Sequence, residues 1–541
     1  MVGTRSVTRL TCVARSFGSI HSMHVKSIKI KEKTMETTEE SKQEELSIED
    51  AQEQPYNCKE PWVKEIKYLD GQSRSYDPMG FDDSFRHSAK YTMPFGLDVS
   101  VKAIMEMYLS DSFLKELTRN TNKYGRMLRP NSFKKVSLAE SCVFLAIISY
   151  MGVVHLPGKE DYWSDKPGWP TNHVCQRMSW NRFQEIWRHI HLVPLVPSDA
   201  AGDECPDDFD FDKRWFAKAA PIFDQVNKVS KKLCRWPGFA VSIDEQMKKF
   251  KGRSIQTFRM KNKPVKEGYK FWAICDVETG YCYHFMPATR IGTDEGRKII
   301  PSVLQLLELL PCRESKRYVC GMDNLFTWSG VLIGARSLGV AVVGTARARR
   351  GWPPPEFKAV KDARFNTLHW MNDKDNFCIM RWVDNSVVTM VSTFHRPEEK
   401  IKRLRRKPRP TDANKTHLQL VWGERSTAEV EIPKVIDDYN HWMGGVDKND
   451  QLIAYYRSNL RCRRIWLPLM FHALDVMRVN AFIVHSNLLN KEGKKPLLHK
   501  EFIMVWVTRL LERATSFEYM RTRAAYEEEV SEISPNPQHK R

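Results

Sequence analysis

The spacing of apolar residues changes at Phe239, and that change limits the folds open to this chain. Between Phe95 and Arg235 the period is helical: Val101, Ile104, Met105, Tyr108 and Leu109 recur on one face, as do Phe183, Ile186, Trp187 and Ile190. From Phe239 onward, residues 239–243, 268–275 and 281–286 read as strands, with 276–280 as a hairpin turn. Residues 292–310 then read as a helix, 317–320 as a short strand, 327–338 as a second helix and 340–343 as a buried strand. Three antiparallel strands followed by alternating helix and strand predict an α/β layer with a mixed sheet, preceded by an all-helical domain over 95–235. The α/β part runs over 236–346 and resumes over 436–490. Between them, 347–435 reads as an insertion that holds Pro353, Pro354 and Pro355, two strand-like runs (377–382 and 386–393) and the basic stretch 402–409. A last helix near 498–514 lies in the segment 491–541, whose polar end is expected to be disordered.

Charge narrows the partner. Across 541 residues, Lys+Arg 85 against Asp+Glu 66 leave +19, which points to a polyanion, and the length exceeds what one core of roughly 100–200 residues supplies. The uncharged run 141–158 is broken by His155 and Pro157 and is shorter than the ~20 apolar residues a bilayer needs, so it reads as a buried helix and no membrane partner is expected. The 12 Cys are scattered without a CxxC pair, which argues against a disulfide scaffold or zinc ribbon, so the sequon at Asn414 is expected to stay unused. Residues 1–31 contain no acid and read either as a transit-like segment or as a basic tail; residues 32–53 are strongly acidic, and 1–75 are expected to be disordered.

Three acidic positions fall at element boundaries. Asp244 follows the first strand of the α/β part, Asp323 follows the strand at 317–320, and Asp447 lies at the start of a helix. If adjacent strands bring the first two together and the helix packs on them, three carboxylates converge. Such a cluster repels itself unless a divalent cation sits within it, and two Mg²⁺ about 3.5–4 Å apart would activate an attacking oxygen and stabilise a leaving one at a phosphodiester. Taken singly, each Asp reads first as an ordinary turn or cap residue; convergence is what spacing alone does not show.

The segments 242–247 (SIDEQM), 250–253 (FKGR), Lys263-Pro264, 268–270 (GYK), 321–324 (GMDN), Gly344-Thr345 and 444–451 (GGVDKNDQ) resemble, in order, the motif blocks of piggyBac-type transposases and their domesticated derivatives. The resemblance extends upstream to Met151-Gly152, Leu156-Pro157 and 161–163, and covers about 95–487. It implies a ribonuclease H-like catalytic domain and an Asp244, Asp323, Asp447 triad that holds Mg²⁺ and cuts and joins DNA at TTAA-flanked ends. Asp450, one helical turn beyond Asp447, matches a further acidic position of the family and shares its helix face. Glu245 is left out, because neighbours along a strand point to opposite faces. Double-stranded DNA as partner, a homodimer and a nuclear location are further implications; the acid-free N-terminus leaves a mitochondrial address as the alternative.

DNA contact requires cations and stacking surfaces. Lys248, Lys249, Lys251, Arg253, Arg259, Lys261 and Lys263 follow directly on Asp244, and Arg347 and Arg349 leave the last strand of the first α/β part. Arg461, Arg463, Arg464 and Trp466 match the family's basic-aromatic block, although Ile465 stands where many relatives place the Trp. The basic stretch 402–409 suits nuclear import or phosphate binding. Mobile members carry a C-terminal Cys/His zinc module, but the last cysteine here is Cys462, so no structural zinc of that kind is expected. A catalytically silent DNA- or chromatin-binding protein is therefore the competing reading. The absence of a P-loop, GxGxxG or HExxH, together with the collinear blocks, argues against a soluble nucleotide or sugar enzyme whose basic charge is incidental.

Overall fold

Four helices of the N-terminal region begin behind a serine. In α1 (Val101–Tyr108), α2 (Asp111–Leu128), α3 (Leu138–Tyr150) and α4 (Trp180–His189), the hydroxyls of Ser100, Ser110, Ser137 and Ser179 accept the backbone N–H three residues on. Glu140 returns the bond to the Ser137 N–H and completes a capping box. A fifth helix, α5 (Ala220–Leu233), leads toward the sheet. The computed structural model describes residues 64–68, 76–81, 83–194, 215–261, 263–291, 298–347, 352–353, 357, 365–384, 386–410, 414–458 and 460–533. The predicted N-terminal tail, apart from 64–68, lies outside them, as do Arg349, the start of the predicted helix at 292 and the tail beyond 533.

The strands are β1 (Lys67–Tyr68), β2 (Lys90–Tyr91), β3 (Cys234–Trp236), β4 (Ala240–Lys249), β5 (Phe258–Arg259), β6 (Glu267–Asp276), β7 (Cys282–Pro287), β8 (Tyr318–Met322), β9 (Val340–Thr345), β10 (Thr367–Asn372), β11 (Cys378–Val383), β12 (Val387–Ser392), β13 (Lys400–Arg406) and β14 (Thr427–Pro433). The remaining helices are α6 (Ile299–Glu308), α7 (Ser329–Ser337), α8 (Lys415–Trp422), α9 (Lys434–Trp442), α10 (Gly445–Tyr455), α11 (Leu467–Lys491) and α12 (His499–Ile533). The large mixed sheet runs β1-β10-β11-β12-β9-β8-β4-β6-β5, with β7 also on β6. Its centre is parallel, β4 on β8 and β8 on β9; outward from it the pairings are antiparallel, except that the terminal β1 lies parallel to β10. This is the expected α/β mixed sheet, and its ribonuclease H-like character fits.

Two features differ from the sequence reading. Both strand-like runs of the presumed insertion, β11 and β12, belong to the main sheet, because β12 pairs with β9 (Met390 opposite Thr345); β10, with no clear alternation in sequence, joins them. Among the described elements of 347–435, the β13–β14 ribbon and α8 stand off the sheet. The N-terminal helices are also not a separate globule: Ile104, Phe144, Phe183 and Phe223 share one core with Phe271 and Phe285 of the sheet, Phe471 of α11 and Trp506 of α12. A second core on Val319, Ala341, Trp382, Met390, Trp422 and Trp442 packs α8, α9 and the ribbon against the sheet. In the uncharged run, α3 ends at Tyr150, and its buried residues extend from Ala139 to Ser149. By length and composition α11 could cross a bilayer, but 94% of its most apolar stretch is buried inside the protein, as in a soluble core helix.

Candidate active site

The pairing of β4 with β8 ends at Ile243 opposite Met322, so Asp244 and Asp323 leave adjacent parallel strands one residue later, side by side. Asp244 does not end its strand, as the sequence suggested; β4 continues to Lys249 against β6 alone. The backbone N–H of Leu325 donates to Asp323 Oδ1 (2.8 Å) and fixes that carboxylate at the head of its turn.

Two glycines let the third acid approach. A Cβ at Gly321 would lie 2.4 Å from the Trp442 carbonyl, and one at Gly445 would lie 2.7 Å from Ser242 Oγ, so the α9–α10 junction packs directly on the ends of β4 and β8. The Val446 N–H donates to Ser242 Oγ (3.0 Å), Gln246 Nε2 donates to Asn449 Oδ1 and Asp450 Oδ1 (2.9 Å each), Asn449 Nδ2 donates to the Gly280 carbonyl (2.8 Å) and Lys448 Nζ to that of Val277 (2.6 Å). α10 is thereby tied to β4 and to the β6–β7 hairpin; Asp447 acts on Lys263 and Tyr439 together with Asp244, and Asp450 lies within the fields of Asp447, Lys263 and Glu245.

That neighbourhood holds excess negative charge. Burial, then the charges of Glu245 and Asp323, push Asp244 well above the usual carboxylate range against the pull of Lys263. Asp323 is raised by burial, with Glu245 adding to it and the Leu325 N–H opposing. Asp450 is pushed up to about 7 by burial and by Asp447. Burial disfavours the Lys263 ammonium, but Asp244, Glu245 and Asp447 outweigh it and raise its pKa.

Three residues of this site lay beyond the sequence reading. Alternation along a strand turns Glu245 away from Asp244, yet β4 is not paired with β8 past Ile243, and the Lys263 ammonium reaches both, Glu245 Oε1 at 3.4 Å and Asp244 Oδ2 at 3.8 Å. Tyr439 of α9 is buried among the fields of Asp323, Asp244 and Asp447, and its hydroxyl is pushed up to about 12, chiefly by burial. Lys270 is buried with Nζ 4.7 Å from the ring centres of Phe258 and Trp272. Signals for the last two existed, in the GYK block and in a Tyr on the apolar stripe of α9, but neither specifies a direction.

A divalent ion suits this donor set in chemistry: the oxygens are hard, Asp244 and Asp323 are raised by burial and then by neighbouring negative charge, and Glu245 Oε2 is buried without a hydrogen-bond partner. Among the described residues, however, no three His, Cys, Asp or Glu side chains stand as a cluster that could hold a metal, and the cation found among the acids is Lys263.

The described residues among the expected DNA contacts divide into exposed cations, side chains turned inward, and Lys263, whose ammonium is directed at the acids and not outward. Lys249, Lys251, Arg253, Arg259, Lys261, Arg347, Arg461 and Arg463 are exposed, and Arg347 lies close enough to Asp323 to lower its pKa. Lys248 is turned inward, because alternation along β4 sends it to Asp475 Oδ2 of α11 (2.6 Å) and the Ser458 carbonyl (3.1 Å); this corrects its placement among the surface cations. Trp466 is likewise buried, with its ring 6.2 Å from that of His191, and Arg464 is half-buried, donating to the carbonyls of Arg188 and Ile190. Both serve to join α11 to the N-terminal helices, and the Trp466 ring is not presented for base stacking.

The family model described as Transposase IS4 matches residues 102–482. PiggyBac transposable element-derived protein 3 of Homo sapiens is 26% identical over 418 residues, 74% of this chain and 63% of that protein. PiggyBac transposable element-derived protein 2 of Homo sapiens is 24% identical over 398 residues, 72% of this chain and 62% of that protein. The match thus spans somewhat under two thirds of each relative's length. Among solved structures, the cryo-EM structure of a piggyBac transposase synaptic complex with hairpin DNA superposes with a TM-score of 0.63 at 20% identity, covering 84% of this chain and 89% of that one.

Proposed function

This chain belongs to the piggyBac transposase family, and from that premise we propose that it is a nuclear DNA-binding protein that cleaves and joins DNA strands with divalent metal at TTAA-flanked ends. The observation that supports the reading is that Asp244 and Asp323 leave adjacent parallel strands side by side while the helix bearing Asp447 and Asp450 is docked on β4. Asp244, Asp323 and Asp447 would hold Mg²⁺, and Asp450 stands behind them on the same helix face. When bound, the metal supplies a lowered pKa for the attacking hydroxyl and charge neutralisation at the phosphate, so no side-chain base is required.

The chain's own residues do the positioning. Gln246, Asn449 and Lys448 fix the helix that carries two of the acids, and Leu325 fixes the Asp323 carboxylate. Exposed Lys249, Lys251, Arg253, Arg347, Arg461 and Arg463 neutralise backbone phosphates and set a salt-dependent affinity. In the cleavage step, water adds to phosphorus as the bond to the 3′ oxygen breaks, and the freed 3′-hydroxyl is the nucleophile for the next strand. The superposition on a protein whose described complex contains hairpin DNA supports this order. The exposed basic stretch on β13 supports a nuclear address.

A second reading, DNA binding without cleavage, is favoured by Lys263 lying among the acids in place of a closed metal cluster. The two separate in one assay. The purified full chain with Mg²⁺ or Mn²⁺ is expected to nick labelled terminal-repeat DNAs ending in TTAA, and Asp323→Asn is expected to abolish nicking while leaving DNA affinity in place. Binding without nicking by the wild type would discard the first reading and leave the second.

A further inference from the structure

Lys263 is held unlike any other lysine near the site. It lies in the turn between β5 and β6, where the Met260 N–H donates to the Lys266 carbonyl (2.9 Å) and the Lys263 N–H to that of Met260 (3.3 Å), and Pro264 follows it. Its ammonium is 3.4 Å from Glu245 Oε1 and 3.8 Å from Asp244 Oδ2, long for charged hydrogen bonds, whereas Lys248 on the same ribbon binds Asp475 at 2.6 Å. The Lys263 side chain is 32% exposed, against 5% for that of Glu245. The acids are therefore fixed and the cation is the loose member, at the end of a flexible four-carbon stem that opens to solvent.

An ammonium at these distances neutralises as a point charge without completing a coordination shell. A divalent ion on the same oxygens and an ammonium beside them repel one another, so the two states exclude each other. We propose that Lys263 is a tethered counter-ion that fills the acid site when no divalent metal is bound and is driven outward when metal enters. The inference rests on the metal-binding reading above and adds to it a residue that sets how readily the metal loads.

The test uses the full chain without DNA and Mn²⁺ as the probe. Lysine reactivity toward a small acylating reagent, read by mass spectrometry, is expected to rise severalfold at Lys263 on adding Mn²⁺, with Lys248 and surface Lys251 as unchanged controls. In parallel, Mn²⁺ titrated calorimetrically is expected to bind Lys263→Met about tenfold more tightly than the wild type, because the competing charge is gone. Lys263→Arg, which retains the charge, is expected to bind no more tightly than the wild type. The acylation arm requires no variant, so a folding failure of Lys263→Met does not rescue the idea. Mn²⁺ binding to the wild type with unchanged or reduced Lys263 reactivity overturns this inference alone; absence of Mn²⁺ binding overturns the metal reading and the inference together.

Discussion

Asp475 lies between two buried cations, Lys248 and Arg478, and replacing it with alanine gives the sharpest test of how the site is held. Lys248 Nζ lies 2.6 Å from Asp475 Oδ2, Arg478 lies 2.5 Å from Asp475 Oδ1, and the Ser458 N–H donates to Asp475 Oδ1 at 2.9 Å. The carboxylate side chain is 1% exposed and that of Arg478 3%. Asp475→Ala leaves two charges in a dry interior without their anion, and removing one partner of a buried pair costs about 3–5 kcal/mol. Lys248→Met leaves the neutral Asp475–Arg478 pair intact and loses one charge-assisted bond, about 1.5–3 kcal/mol. With a urea slope of ~3 kcal/mol/M, the first variant should lower the midpoint by about 1 M or more and the second by clearly less. Because Ser458 follows α10, amide exchange over 445–455 should accelerate in Asp475→Ala. An Asp475→Ala midpoint equal to or above that of Lys248→Met would refute the charge accounting. The pH sign follows too. Burial raises the Asp475 pKa, but Lys248 and Arg478 outweigh it and hold it below the ordinary value, so its contribution is present above the unfolded pKa and is lost as pH falls through the lower folded one.

Asp450 has the opposite sign: raised to about 7, it supports the metal-free fold most fully below pH ~4 and loses that support as pH rises through 7, so metal-free Asp450→Asn should melt above the wild type at pH 8 and level with it at pH 4. A cation scan should divide as exposure does: alanine at Lys249, Lys251 or Arg253 should each reduce the slope of log affinity against log salt for duplex DNA by up to ~0.9, whereas Trp466→Ala should lower the melting temperature and leave that slope unchanged.

The sheet's centre was legible because parallel buried strands read as continuous apolar runs, as at 340–343, and hairpins announce themselves by alternation. β10 was not legible: Thr367, His369 and Trp370 give no clear period, and it is the pairing with β11 that makes it a strand. Within the site, sequence could name Asp244, Asp323, Asp447 and Asp450 as candidates and could not place them, since placement depends on β8 stopping at Met322 and on two missing Cβ atoms under the α9–α10 junction. The inward turn of Lys248 followed from strand parity once β4 was known to run to Lys249; its anchor, Asp475, lies 227 residues further along the chain, beyond any local rule. Glu245 shows where parity itself fails, at an edge that a loop can wrap.

The shared core of the first and last helices bears on the order in which the protein can be made. α3 packs against α12, and α5 against α11, so the N-terminal helices leave the ribosome with faces whose partners are not yet synthesised. Crossing the interval from α3 to Leu510 takes roughly 20–70 s at about 5–20 residues per second. Within that interval, while the chain grows from Asp323 toward Asp447, Asp244 and Asp323 are translated but the helix bearing Asp447 and the Asp475 that pairs with Lys248 of β4 are not. The acid site is therefore assembled late, after the basic residues at 249–261 have been translated, and nascent chains pass through that stage with these cations in place and the acid cluster incomplete.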